Sequence, residues 1–138
     1  MVRHLESLKE LARSSTCNGK SAARDPRVRR RLAEFETRIQ AMRFNGLRFL
    51  TRQLQGEPLS SETSVNKLHR ASLEVEMSDF ALDLQGHAGP LLEDAEPVAD
   101  QGRWQRMELS WPEVVIGGGT PNIQKNIIAE RILGLPKD

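Results

Sequence analysis

The sequence predicts an all-α protein, an antiparallel bundle of about four main helices. Two observations lead there. Apolar residues recur at helical spacing in long stretches, most clearly Val28, Leu32, Phe35, Ile39 and Met42, which step by 4, 3, 4 and 3. Helix punctuation brackets the stretches: Asp25-Pro26 and Thr120-Pro121 read as starts, Gly134 and Pro136 as a stop. Composition agrees. Of 138 residues, 38% are hydrophobic and 28% charged, which suits one soluble helical domain over 1–138 with a sizeable core.

Bulk properties exclude several functions. A net charge of +1 gives no overall pull toward nucleic acid or a membrane. One cysteine, Cys17, excludes an internal disulfide and permits a reducing cytoplasm, the compartment expected here. With no histidine near it in sequence, an inert or buried thiol is expected there. The opening Met1 to Glu6 has no signal-peptide core, and no apolar run reaches membrane-spanning length.

Taken in order, residues 2–14 read as a short helix, with Val2, Leu5, Leu8 and Leu11 at helical spacing. Residues 15–24 are small and polar and read as a flexible loop. Asp25 then caps a long helix with Pro26 first inside it. Its apolar face continues through Leu47, Leu50 and Leu54 to a stop near Gly56-Glu57-Pro58. Gly46 interrupts it at a cost of about 1 kcal/mol against Ala, which suggests close helix packing there. Arg27, Arg29, Arg30 and Arg31 cluster at its start. Without interleaved aromatics they read as a solvated face paired with Glu34, Glu36 and other carboxylates, rather than as a nucleic-acid patch.

A third helix starts near Ser60 or Ser61 with Glu62 in its first turn. Val65, Leu68, Leu73, Met77, Phe80 and Leu84 form its buried side, and Lys67, Arg70, Glu74 and Glu76 its wet side. His69 has no partner at metal-ligand spacing and reads as a surface histidine. Gly86 and Gly89 end the helix in a turn. Residues 90–102, with Glu93, Asp94, Glu96, Pro97 and Asp100, read as an acidic surface loop. Trp104 to Trp111 forms a short helix broken at Pro112, and Val114-Val115-Ile116 by itself looks strand-like.

The most informative stretch is Gly117 to Pro136. Three glycines run into Thr120, an N-cap, and Pro121, a first helical residue. Ile123, Ile127, Ile128 and Ile132 lie toward one side of the helix that follows. A bare backbone loop at a helix start suits an anion; a terminal core helix with a flexible entry is the plainer reading. It is not a P-loop, because no Gly-Lys-Ser/Thr follows, and it lacks the third glycine of a dinucleotide fingerprint.

Gly118-Gly119-Thr120-Pro121-Asn122-Ile123-Gln124, followed by Asn126 to Pro136, closely resembles the C-terminal signature of flavin-dependent acyl-CoA dehydrogenases. The rest of the chain is similar, more weakly, to that family's helical C-terminal domain. The resemblance implies a helix near 102–116 kinked at Pro112, and this is preferred over the strand-like reading of Val114-Val115-Ile116. The resemblance implies FAD as cofactor and α,β-dehydrogenation of an acyl-CoA thioester, within fatty acid metabolism. It implies that Gly119 lies against substrate, that Thr120, Pro121 and Asn122 stand at flavin-contacting positions, and that the Gly86 turn approaches the flavin's adenine-diphosphate portion. The base, a glutamate in many members, would stand at Gly118; others carry it near the start of a longer first helix. Neither position supplies a carboxylate here, so no catalytic residue is assigned.

The resemblance also implies that residues 1–14 are the tail of that longer helix, in a truncated, split or degenerate chain. It implies a subunit interface, hence a homo-oligomer or a related dehydrogenase subunit as partner. The contrasting expectation is a non-enzymatic helical interaction module or companion subunit.

Overall fold

The computed structural model describes residues 1–58, 61–91 and 99–137. Three long helices make the body: α1 Val2–Ser14, α2 Pro26–Leu54 and α3 Thr63–Gln85. A chain of short helices, α4 Arg103–Leu109, α5 Trp111–Ile116 and α6 Pro121–Ile127, takes the fourth place, and α6 runs into a wider π turn over Ile128–Ile132. Interhelix contacts fix the directions. Lys9 bonds Glu36 while Leu11 shares a cavity wall with Val28, and Arg38 and Arg48 reach Glu76 and Glu62, so α2 runs antiparallel to both α1 and α3.

Local chemistry explains the boundaries. The Asp25 carboxylate accepts from the Arg27 amide at 2.7 Å, with Pro26 first inside α2. Residues 15–24 are not a loose loop. Thr16–Cys17 and Lys20–Ser21 pair as a two-residue-stranded hairpin around Asn18-Gly19, both with positive φ, and a 3-10 turn follows. Asn-Gly is the pair such a turn selects. Cys17 is exposed on this hairpin, not buried. Val114-Val115-Ile116 is helical, because Pro112 starts α5 rather than ending order.

The core gathers Leu5, Leu8 and Leu11 of α1, Phe35 and Ile39 of α2, Leu73, Met77 and Ala81 of α3, and Trp104 of α4. Phe35 meets Phe80 edge-on at 5.7 Å between ring centroids. Two expectations fail along α2. Leu47, Leu50 and Leu54 do not continue the buried face; Leu54 is 80% exposed. Gly46 serves no close approach, since a Cβ there would meet nothing within 4 Å. On α3, Glu74 leaves the expected wet side: it is only 8% exposed and bonds the Arg70 guanidinium at 3.0 Å. The acidic loop expected over 90–102 lies largely outside the described residues; 99–102 forms a 3-10 turn.

The arginine cluster is partly paired as expected, with Arg31 and Arg30 on Glu34. Glu36 instead bonds Lys9. Arg31 also reaches Glu76 of α3 at 2.8 Å, which Arg38 bonds at 2.7 Å. Burial pushes the Glu76 carboxyl up, but the bond and charge of Arg38 and the charge of Arg31 outweigh it, so it sits below the usual range. A carboxyl lowered on folding stabilises above its ordinary range, and that contribution is lost as pH falls through the folded value. Glu76→Gln should therefore lower stability at pH 7 by about 1 kcal/mol, a modest figure for a partly exposed cluster. It should also flatten the loss of stability below about pH 4.5, a typical carboxylate range; urea unfolding at a series of pH values checks both.

Candidate functional site

The site is the link between α5 and α6. The Gly117 amide donates to Glu113 O at 2.8 Å and the Gly119 amide to Ile116 O at 3.1 Å, so the chain turns sharply off α5. Glycine is required twice. A Cβ at Gly117 would sit 2.6 Å from Glu113 O, and one at Gly119, where φ is +102°, would sit 2.7 Å from Gln124 Nε2. Gly118 also has positive φ, +72°.

Two side chains clamp the turn from either side. Gln124, buried on α6, donates its amide to Gly118 O at 2.7 Å. Lys67 of α3 donates its ammonium to Val114 O at 2.9 Å and Val115 O at 3.4 Å, carbonyls of α5's last turn. Its Cε lies 3.6 Å from where a Cβ on residue 118 would be. Sequence alone assigns neither a role. Lys67 reads as a wet-side residue of α3, and only the fold brings it to a loop about 50 residues on.

Thr120 caps α6 as expected, its hydroxyl oxygen accepting from the Ile123 amide at 3.4 Å, with Pro121 first in the helix. Asn122 is exposed. The helix itself is not the apolar core element expected: Ile123 is 51% exposed and Ile132 37%, and the residue α6 buries is Gln124. The α-helical part spans only Pro121–Ile127, so the anion-binding expectation from its positive end has little helix behind it.

The Gly86 turn is elsewhere. It caps the far end of α3, with φ +55° at Gly86 and space within 4 Å of where a Cβ would be. Gly89 packs back on the helix, where a Cβ would be 2.6 Å from Leu82 O. Gln105 holds the turn by donating to Gly89 O at 3.0 Å. A cavity of about 730 Å³ opens beside it, walled in part by Cys17, Phe80, Asp83 and His87. Lys67 and Gly86 are 19 residues apart on one helix, about 28 Å at ~1.5 Å per residue. The two glycine turns therefore stand at opposite ends of α3 and form no single pocket.

Between α3 and α5, next to the Gly117 turn, a cavity of about 390 Å³ is walled by Lys67, Arg70, Ala71, Glu74, Glu113, Val114 and Gly117. Beside it, His4 shares a smaller cavity with Arg70, Glu74 and Trp111, and its Nδ1 is buried without a partner. Burial chiefly, then the amino terminus and Arg103, holds the His4 imidazole below its ordinary range. His69 is exposed, as expected. Among the described residues no cluster of three or more His, Cys, Asp or Glu could hold a metal ion, and no helix is long and apolar enough to cross a membrane.

The sequence model described as "Acyl-CoA dehydrogenase, C-terminal domain" matches residues 1–133. The acyl-CoA dehydrogenase IpdE1 of Mycolicibacterium smegmatis is 38% identical over 137 residues, which is 99% of this chain and 31% of that protein. The chain thus spans about a third of that relative's length. Among solved structures, the ChsE4-ChsE5 complex from Mycobacterium tuberculosis shares the fold at TM-score 0.81 and 23% identity, over 99% of this chain and 35% of that one. The FAD complex of PigA matches at TM-score 0.78 and 25% identity, over 97% and 33%.

If Thr120 fixes where α6 begins, Thr120→Ala should cost about 0.5–1 kcal/mol, as loss of a long cap bond does, and Thr120→Ser should recover most of it. Urea unfolding of the three proteins reads the difference; equal stability of Ala and Ser variants would show that the hydroxyl caps nothing.

Proposed function

The chain belongs to the acyl-CoA dehydrogenase family, matching its C-terminal domain, and we propose that it supplies a flavin-site loop and a subunit interface to an FAD-dependent acyl-CoA dehydrogenase. The observation that carries this is the turn at 117–119, bare backbone clamped by Lys67 and Gln124 and leading into the Thr120-Pro121 cap. A rigid turn without side chains lets a flat ligand come close to the main chain.

FAD, when bound, would take up hydride from the β-carbon of an acyl-CoA thioester. This chain's residues would position. Gly119 would present backbone to the substrate. Thr120 accepts the Ile123 amide on its oxygen, which leaves its O–H free to donate to the flavin. Pro121 would hold that hydroxyl's helix start in place, and Asn122 would offer an exposed amide. The turn at Gly86 fits the adenine-diphosphate portion, being open backbone beside a large cavity. Because it lies about 28 Å along α3 from the first turn, at ~1.5 Å per residue, one copy would lend its two ends to two different flavins. That arrangement requires a second subunit, either another copy or a related dehydrogenase chain.

No residue is proposed to take the α-proton. Gly118 has no side chain, Glu74 is buried and bonded to Arg70, and Glu113 lies one turn before the glycines. A second reading is a companion subunit or interaction module. The exposed Leu47, Leu50 and Leu54 are a surface it could use.

The test uses the purified chain. Sedimentation at micromolar concentration should show a dimer or larger species. Anaerobic mixing with FAD and a panel of acyl-CoAs should give weak flavin binding and no bleaching, for both this chain and Gly118→Glu. Restoring one carboxylate does not restore positioning, which by itself is worth up to about 7–11 kcal/mol of barrier. Turnover by the unmodified chain would place a base within these residues and overturn the assignment; a monomer with no affinity for dehydrogenase subunits would remove the interface.

A further inference from the structure

Lys67 clamps the 117–119 turn, and its surroundings point to more than that. Its aliphatic stem is half-buried on α3, and its ammonium ends on two carbonyls of α5's last turn, Val114 at 2.9 Å and Val115 at 3.4 Å. Those carbonyls belong to the end of a helix, where no further turn supplies donors. Three residues later the chain passes the same side chain again, because a Cβ at 118 would touch Lys67 Cε at 3.6 Å. No carboxylate pairs with this ammonium among the ion pairs of the described residues. Arg70, one turn further along α3, is taken by Glu74.

We propose that Lys67 is the positioning residue of the Gly117–Gly119 turn, and that it makes position 118 a built-in cationic environment. In its first role it gathers the free end of α5. The amides of Gly117 and Gly119 that close the turn bond back to Glu113 and Ile116, in the same short helix that the ammonium holds. In its second role, any carboxylate presented at position 118 would stand beside the Lys67 stem, whose Cε is 3.6 Å from where the Cβ would be. A positive charge within about 4–6 Å favours the ionised carboxylate and lowers its pKa. A base supplied there would therefore hold a proton less tightly than a free carboxylate does. The chemical consequence rests on reading this turn as a flavin-site loop; the placement of the ammonium does not.

Both arms of the test use the chain itself and need no flavin, so a failure of flavin binding leaves them unaffected. In the first, amide hydrogen exchange is followed by NMR in the native protein, Lys67→Met and Lys67→Arg. Lys67→Met should speed exchange at Gly117 and Gly119 at least about tenfold, the size expected when one charge-assisted bond worth about 1.5–3 kcal/mol is lost. Amides in the α2–α3 core should not change, and Lys67→Arg should restore protection because a guanidinium can reach the same carbonyls. Unchanged exchange at Gly117 and Gly119 in Lys67→Met would overturn the positioning role. In the second, the introduced side-chain carboxyl is titrated by carbon NMR in Gly118→Glu and in Gly118→Glu combined with Lys67→Met. The midpoint should be lower by about one unit when the lysine is present; equal midpoints would overturn the cationic role. Because positive φ at 118 strains a side chain, Gly118→Asn with and without Lys67→Met is compared by the same exchange measurement, where Lys67→Met must again cost protection.

Discussion

Every other helix in this fold is placed by α3. It touches α1, α2, α4, α5 and α6. Its buried residues are Ser64, Ala71, Leu73, Glu74, Met77, Ser78 and Ala81, mostly small. At ~100° per residue they fill one whole half of the helix, far wider than a simple apolar stripe, while His69, Ser72, Asp79 and Asp83 share the exposed side. Small side chains let neighbours approach, and the polar ones must be satisfied inside. Ser78 shows how: its hydroxyl can donate to Glu108 of α4, whose carboxylate lies at 2.6 Å. Glu74 meets Arg70, and the partly buried Glu76 meets Arg31 and Arg38.

The same centrality builds the site. The α5–α6 link is far from α3 in sequence, but Lys67 fastens it to α3's first turns. The glycines do the rest, since two of the three positions have no room for a Cβ and two have positive φ. The outcome is a stretch of main chain held still, with the Lys67 ammonium fixed against the helix that leads into it.

Sequence patterns revealed the helices because capping and periodicity are local. Asp25-Pro26 and Thr120-Pro121 fold as their chemistry dictates, and the apolar spacing from Leu32 to Met42 does face the core. Patterns failed where the outcome depends on which neighbour is present. The Asn18-Gly19 turn was readable as a hairpin signal, but strands of two residues have no periodicity to confirm it. Glu74 and Lys67 sit on the polar side of a helical wheel; burial and reach came from α5 crossing that side. Of the implied site residues, the turn residues Gly118, Gly119 and Thr120 come together. Gly86 does not, and a sequence gives no hint that one helix's length separates it from them.

The exposed stripe on α2 continues a face that is packed along the first half of the helix. Leu54 lies 18 residues beyond Glu36, and Leu50 lies 18 beyond Leu32. At 3.6 residues per turn, 18 residues make five turns, so each pair shares one face of the helix. Glu36 meets Lys9 of α1 and Leu32 packs against the core, so this is the face that α1 covers along the first half of α2. α1 runs antiparallel to α2, and its beginning, near His4, is level with Glu74 and Val75 of α3. The same side of α2 carries Leu47, Leu50 and Leu54 along its second half, where they are exposed. The periodicity read from the sequence is therefore real along the whole helix, and what differs between its two halves is which neighbour packs on it.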